Sequence, residues 1–281
     1  MSDEVAWCEI ENGEYEADLD LWLGLCGSER PEDSPAPTYG ARTVLELGAG
    51  VGRVSLELAA LGAQVWALDT ERELLDEIVR RGRARGIGAI TPICADARSY
   101  TSGGRHFDLV IAPQVVVQTF EDRADRVAIM ACAGRHLARG EGSSFWMTYQ
   151  PDLDQAWGDE EDTPQMPLAT ELHGRIFEME PIECYWHHHD GERSLRTVWS
   201  RRVDDRKTTA RTSYAELNQA GLEDEASEAG LRLADSIPLP GNGYFLDQVA
   251  LRFIAGDRRS VGGSATKTRG SSPSGRRTPP R

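Results

Sequence analysis

Five short apolar runs punctuate the middle of the chain, at residues 43–47, 64–68, 89–94, 107–112 and 143–148. Their length and flanks predict strands buried on both faces of a sheet. Between them, apolar residues fall at helical spacing. Val54, Leu58 and Leu61 share one face of the first intervening segment, and Leu74, Leu75, Ile78 and Val79 mark the second. Val127, Ile129, Met130 and Leu137 mark a third. Strands alternating with helices predict βαβ crossovers and an α/β fold with a doubly wound, mostly parallel sheet.

The texture changes after Pro151. Residues 152–170 are acidic and contain proline, and predict a loop. Three β-like stretches follow, at 175–189, 192–203 and 208–217. The breaks between them, Asp190-Gly191 and residues 204–207, suit hairpin turns, so this region predicts an antiparallel insertion beside the sheet. A helix over 219–229 stops at Gly230, as glycine favours. Residues 231–237 and 247–254 predict two last strands forming an antiparallel edge hairpin. Towards the N-terminus, residues 17–25 carry Leu and Trp at helical spacing, and 28–38 form a Pro-rich linker. The expected organisation is therefore an N-terminal helical cover and linker (1–42), a core (43–150) and a loop with the antiparallel insertion as a lid (151–217). The last helix and strands of the core (218–256) and a disordered basic tail (257–281) complete it.

Composition narrows the class. Forty per cent hydrophobic and 27% charged residues exclude wholesale disorder. No stretch reaches the roughly 18 apolar residues of a membrane helix. The acidic N-terminus has no basic region and no apolar core, so it does not read as a secretory signal. Five cysteines without ligand spacing indicate neither a disulfide framework nor a metal site, and the expected compartment is the reducing cytoplasm. Residues 257–281 hold seven basic residues and one acid, while the rest of the chain holds 45 acids against 24 basic residues. So acidic a body is expected to repel nucleic-acid phosphates and anionic membrane surfaces.

The strongest chemical signal is the run from Val44 to Arg53, VLELGAGVGR. It leads a strand into a glycine turn and then a helix, a geometry that lets the backbone approach a ligand and turns free N–H groups towards it. The dinucleotide fingerprint needs a small residue five positions after its first glycine. Arg53 stands there instead, which argues against NAD or FAD. Asp69 ends the second strand, 21 residues after Gly48, where a carboxylate can accept from both hydroxyls of a ribose. Asp96 follows the third strand, where it can meet an adenine amino group beside the Ala97 N–H; capping of the next turn explains an aspartate there equally well. Leu74 fits either an adenine face or the core.

In that order, the stretches at 44–53, 67–75, 94–97, 107–120 and 136–153 resemble class I S-adenosylmethionine-dependent methyltransferases, in their bacterial small-molecule branch. The resemblance implies a Rossmann-like core, S-adenosylmethionine as cofactor and a small-molecule methyl acceptor. It implies cofactor contacts from Glu46, Gly48, Ala49, Gly50, Gly52, Arg53, Asp69, Thr70, Leu74, Asp96, Ala97 and Pro113. Tyr15 and Trp22 are implied on the covering segment, with Gln114 and Gln118 facing the methyl group. Tyr149, just past the fifth strand, is a further substrate contact by its place at the carboxyl end of the sheet. Two features depart from the family: Arg139-Gly140-Glu141-Gly142 replaces its Pro-Gly-Gly turn, and Val115-Val116-Val117 stands where it carries an aromatic or Arg. No nucleic-acid or membrane partner is expected, and a homodimer is compatible with the sequence.

In-line methyl transfer is chiefly alignment and exclusion of water, with a base needed only for a protonated nucleophile. The base candidates are His187 and His189, which share one face of a strand on the opposite side from His188. A polar hairpin end in solvent is the competing account. His106 and His136 read as structural, and Trp157, Trp186 and Trp199 as either pocket or core. Two further readings stay open: a non-methyl reaction using the same cofactor, and a non-catalytic cofactor-binding partner.

Overall fold

The structure, a computed structural model, describes residues 1–13, 15–27, 42–140, 142–154, 168–241 and 245–256. The linker at 28–38, Trp157 and the tail at 257–281 lie outside the described residues.

Seven strands make the central sheet: β1 (Thr43–Leu47), β2 (Gln64–Asp69), β3 (Ile90–Cys94), β4 (Leu109–Ala112), β5 (Ser144–Tyr149), β10 (Leu231–Leu239) and β11 (Gln248–Ala255). Their order is β10-β11-β5-β4-β1-β2-β3. β1 to β5 are parallel, whereas β11 runs antiparallel to β5, and β10 to β11. The order reverses at β1, because β2 lies on one side of it and β4 on the other. Ligands of doubly wound sheets bind at such a switch point, beyond the carboxyl ends of the strands.

Helices α3 (Arg53–Ala60), α4 (Arg72–Ala84), α5 (Arg123–His136) and α6 (Gln219–Glu228) cover the sheet. α4 places Glu73 in its first turn and Arg81 and Arg83 in its last, an order that complements the helix dipole. Arg80 and Arg81 bond Glu77, and Arg85 bonds Glu57. Arg80, Arg81 and Arg85 are thus tied up in structural ion pairs. β4 and β5 are buried along their whole length, and Phe107, Phe145 and Phe253 anchor the largest apolar cluster. His136 is buried as well. Its Nδ1 lies 2.8 Å from the Cys132 carbonyl and therefore donates, while Nε2 accepts the Ser102 N–H at 3.0 Å.

A second sheet of four antiparallel strands, ordered β6-β7-β8-β9, forms the lid: β6 (Leu168–Leu172), β7 (Arg175–His189), β8 (Glu192–Val203) and β9 (Arg206–Ala215). β6 occupies part of the stretch expected as loop, paired from Leu168↔Met179 to Leu172↔Arg175.

Two helices precede β1. α2 (Leu19–Cys26) matches the amphipathic segment read at 17–25, but α1 (Asp3–Asn12) has no counterpart in the sequence reading. Ser2 caps α1 by accepting the Val5 N–H, and Asp3 and Glu4 follow in its first turn. Its buried residues, Val5, Ala6 and Trp7, are consecutive because the helix packs on two sides. Val5 joins Val51 and Leu74 of the core, while Ala6 and Trp7 join Phe177 and Val203 of the lid. A helix held from two directions carries no single apolar stripe. No described helix is long and apolar enough to cross a membrane.

Candidate functional site

The turn after β1 makes the floor of the site. Gly48 and Ala49 donate their N–H groups to the Leu68 carbonyl at 2.9 and 3.0 Å, tying the turn to β2. Gly48 sits at φ +72°, and a Cβ there would lie 2.7 Å from Val116 Cγ2. A side chain is therefore excluded by conformation and by space alike. The Gly50 N–H donates to Asp69 Oδ2 at 2.8 Å, and Asp69 Oδ1 accepts the Glu71 N–H at 3.0 Å.

Above the turn lies a cavity of about 1140 Å³. Ligand pockets run to about 300–1,000 Å³, so there is room for a nucleoside-sized ligand and a second molecule beside it. Glu46, Gly48, Ala49, Gly50, Arg53, Asp69, Thr70, Leu74, Asp96, Ala97, Pro113 and Gln114 all line it. The fold thus gathers these sequence-predicted residues, from the ends of β1 to β4, into one wall.

Several are already engaged. Glu46 is buried and accepts the Ser55 hydroxyl; burial pushes its carboxyl up to about 8. Arg53 donates to Asp18 at 2.5 and 2.8 Å and to the Tyr15 carbonyl at 2.6 Å. Asp96 takes the Arg98 backbone N–H at 2.8 Å and its guanidinium at 2.6 Å, and the side-chain bonds to Arg98 hold its carboxyl below the usual range.

Other expected residues stand elsewhere, and the expectations for them are corrected. Gly52 does not reach the cavity. At φ +86° it caps α3, and a Cβ would lie 2.9 Å from Ile78 Cγ1, so its need for glycine is a packing need. Trp22 is buried behind the wall and donates to Asp18 Oδ2 at 2.7 Å, helping to fix Arg53. Tyr15 is buried with it. Its ring lies 4.8 Å from that of Phe245 and under the Arg53 guanidinium, and only Phe245 of these two aromatics faces the cavity. Gln118 is fully buried, donates to the Gln150 and Ala215 carbonyls and accepts the Gln150 N–H, bracing β5 against the lid. Tyr149 is buried in the main apolar cluster.

His187 and His189 lie near the β7–β8 turn. They face a small separate cleft with Glu121, Asp122, Glu192 and Ser194, and neither lines the main cavity. The long β7–β8 ladder carries the histidine end outwards. Of the three tryptophans left between pocket and core, Trp199 lines the cavity, while Trp186 lies under the Arg193 guanidinium. Among the described residues no group of three or more His, Cys, Asp and Glu side chains is placed to hold a metal ion.

Apart from Trp199, the rest of the cavity wall was not anticipated from the sequence. α1 contributes Cys8, Glu11 and Asn12. The lid contributes Met179, Thr197, Trp199, Thr212 and Tyr214. The alternation on β8 and β9 holds the signal: Thr197 and Trp199, like Thr212 and Tyr214, are two apart and share a face. At the end of β4, Gln114 and Val115 both take positive φ, +50° and +57°. Such conformations in non-glycine residues cluster at functional sites. The Val115 N–H is held by Thr148 Oγ1 at 3.0 Å.

Comparison with known proteins adds the following. A family model described as a methyltransferase domain matches residues 44–140. The chain is 30% identical over 143 residues to cypemycin N-terminal methyltransferase of a Streptomyces species; the match covers 51% of this chain and 53% of that protein. It thus spans about half the length of this relative. Among solved structures, the CcbJ methyltransferase of Streptomyces caelestis superposes with a TM-score of 0.61 at 18% identity, covering 86% of this chain and 97% of the other. An S-adenosylmethionine-dependent methyltransferase of Clostridium acetobutylicum gives 0.58 at 18% identity, covering 76% and 84%. At such identities the likeness shows the fold.

Proposed function

We propose that this chain, whose residues 44–140 match a family model described as a methyltransferase domain, transfers a methyl group from S-adenosylmethionine to a nitrogen or oxygen of a small molecule. The observation that carries the reading is the Gly50 N–H bond to Asp69 at the switch point, under a cavity large enough for cofactor and acceptor together. The residues present fit the cofactor. The cradle at Gly48 has no room for a Cβ, and a carboxylate ends β2 at the distance from the turn that ribose recognition requires.

In this reading the backbone of the glycine turn and Glu46 receive the amino-acid end of the cofactor. Asp69 accepts from the ribose hydroxyls. Asp96 and the Ala97 N–H meet the adenine, with Leu74 against its face; Arg98 holds the Asp96 carboxylate in place for this. Pro113 and Gln114 edge the space where the acceptor meets the methyl group. When bound, S-adenosylmethionine supplies an activated methyl on a sulfonium sulfur. The protein aligns the acceptor between this wall and the lid and keeps water out, and such positioning accounts for several kcal/mol of barrier. α1 closes the rim, with Cys8 over Gly50; burial raises the Cys8 thiol to about 11, so it sits there as a neutral group.

Titration calorimetry with S-adenosylmethionine and S-adenosylhomocysteine tests the cofactor, and S-adenosylhomocysteine formation with amine and alcohol acceptors tests the transfer. Absence of affinity for both nucleosides, with uptake of a nicotinamide or flavin carrier, would refute the reading.

A further inference from the structure

The lid half of the cavity differs in chemistry from the cofactor half. Two guanidinium groups line the cavity among the described residues, Arg53 and Arg98, and both are held by carboxylates on the core side. On the other side stand Trp199 and Tyr214, with Thr197 and Thr212 between them. The Trp199 indole N–H donates to Thr212 Oγ1 on the same wall, at 2.9 Å. Into this aromatic and hydroxylic wall the last turn of α1 brings Glu11 and Asn12.

Glu11 is anchored from behind. Arg201 donates to its Oε1 and does not itself line the cavity; the guanidinium lies over the Trp7 ring, 5.1 Å from its centre. Burial raises the Glu11 carboxyl above its ordinary range, and the Arg201 charge draws it back down. The last turn of α1 carries no basic residue, so the negative end of the helix dipole adds to the Glu11 charge at the same place. The Glu11 charge is felt across the cavity wall: after burial, it is the other influence raising the Tyr214 hydroxyl. A carboxylate and a helix C-terminus in a cavity that Trp199 and Tyr214 also line, with no Arg or Lys on that side among the described residues, suit a protonated or neutral amine. They disfavour an anionic acceptor.

Resting on the methyltransferase reading above, we propose that the acceptor is an amine-bearing compound and that Glu11, with Trp199 and Tyr214, selects it by binding its nitrogen.

The test separates this proposal from its premise. S-adenosylhomocysteine is first titrated into the full chain, and its binding tests only the cofactor reading. With that nucleoside bound, 2-phenylethylamine, 2-phenylethanol and phenylacetate are compared by competition saturation-transfer NMR. These probes share one frame and differ in charge. The amine should bind about tenfold or more tighter than the alcohol, as a charge-assisted contact predicts, and phenylacetate should bind weakest. Glu11→Gln should lose about tenfold for the amine and less than twofold for the alcohol, with S-adenosylhomocysteine affinity kept. The wild-type ranking decides even if that variant folds poorly. An amine that binds no better than the alcohol, or fails to bind, overturns the proposal, as does a preference for phenylacetate or an unaltered ranking in folded Glu11→Gln.

Discussion

The Gly50 N–H and the Asp69 carboxylate, 2.8 Å apart, join the two ligand-binding strand ends of the fold. One carboxylate oxygen fixes the glycine turn while the other holds the Glu71 N–H that opens α4. Asp69→Ala would remove the ribose acceptor and free the turn together. Hydrogen bonds to charged groups contribute about 1.5–3 kcal/mol, so affinity for S-adenosylmethionine should fall about ten- to a hundredfold. Titration calorimetry of the variant checks this, and unchanged affinity would refute the ribose assignment.

Trp7 meets Phe177 edge to face, with ring centres 5.2 Å apart, and so fastens α1 to the lid. The ion pairs along the same helix, Glu9–Arg81, Asp3–Arg175, Asp3–Arg206 and Glu11–Arg201, are all partly exposed, and such pairs contribute only about 0–1 kcal/mol. The apolar contact therefore holds the rim. Trp7→Ala should speed amide exchange in residues 3–12 and hasten cofactor release, leaving β1, β4 and β5 protected. Hydrogen-exchange mass spectrometry with stopped-flow displacement measures both; unaltered exchange in α1 would show that the ion pairs suffice.

The half of the site built on strand ends was legible in the sequence because each residue follows an apolar run at fixed spacing. Asp69 and Asp96 need only the βα order to be placed at one edge. Of the acceptor half, only Gln114 and, between pocket and core, Trp199 were read from the sequence. α1 carries consecutive buried residues instead of a stripe, since it packs between core and lid. Gln118 and Tyr149 sit near the ligand-binding edge in sequence, but their orientation depends on the lid that covers them. Gln118 turns to the Ala215 carbonyl of β9, 97 positions away, a pairing no local pattern records.

His187 and His189 lie on the far end of the lid hairpin, away from the main cavity. His187→Ala and His189→Ala should each leave turnover within about twofold of wild type, because positioned bases contribute about 10²–10⁴ only where they reach the reacting proton. A hundredfold loss of kcat in either variant would return the histidines to the site.

Glu46 is buried beside the glycine turn, and its carboxyl titrates at about 8 instead of 4.5. Below pH 4.5 the folded and unfolded chains both hold this proton. Between 4.5 and 8 the unfolded chain releases it while the folded one retains it, so the contribution to stability falls as pH rises. Glu46→Gln has no such proton. The Tm of that variant, minus that of the cofactor-free wild type, should grow steadily from pH 5 to 8. Parallel melting curves over this range would show that Glu46 is already ionised when folded.

Thr148 carries the last prediction. It is fully buried on β5, and its Oγ1 accepts the N–H of Val115 at 3.0 Å. Gln114 and Val115 both sit at positive φ, a conformation that costs about 1–3 kcal/mol per non-glycine residue and persists only when its surroundings enforce it. Thr148→Val keeps the shape and removes the acceptor. The buried Val115 N–H is then unpaired, at a cost of about 1–3 kcal/mol, and the chain after β4 can relax. Gln114 lines the cavity and is proposed to edge the acceptor space, whereas the glycine turn and Asp69 lie on other strands. The variant should therefore melt several degrees lower and lose kcat, while its affinity for S-adenosylmethionine stays within about twofold of wild type. A proportional loss of cofactor affinity would mean that the strained pair supports the cofactor cradle, through Val116 against Gly48, more than the acceptor position.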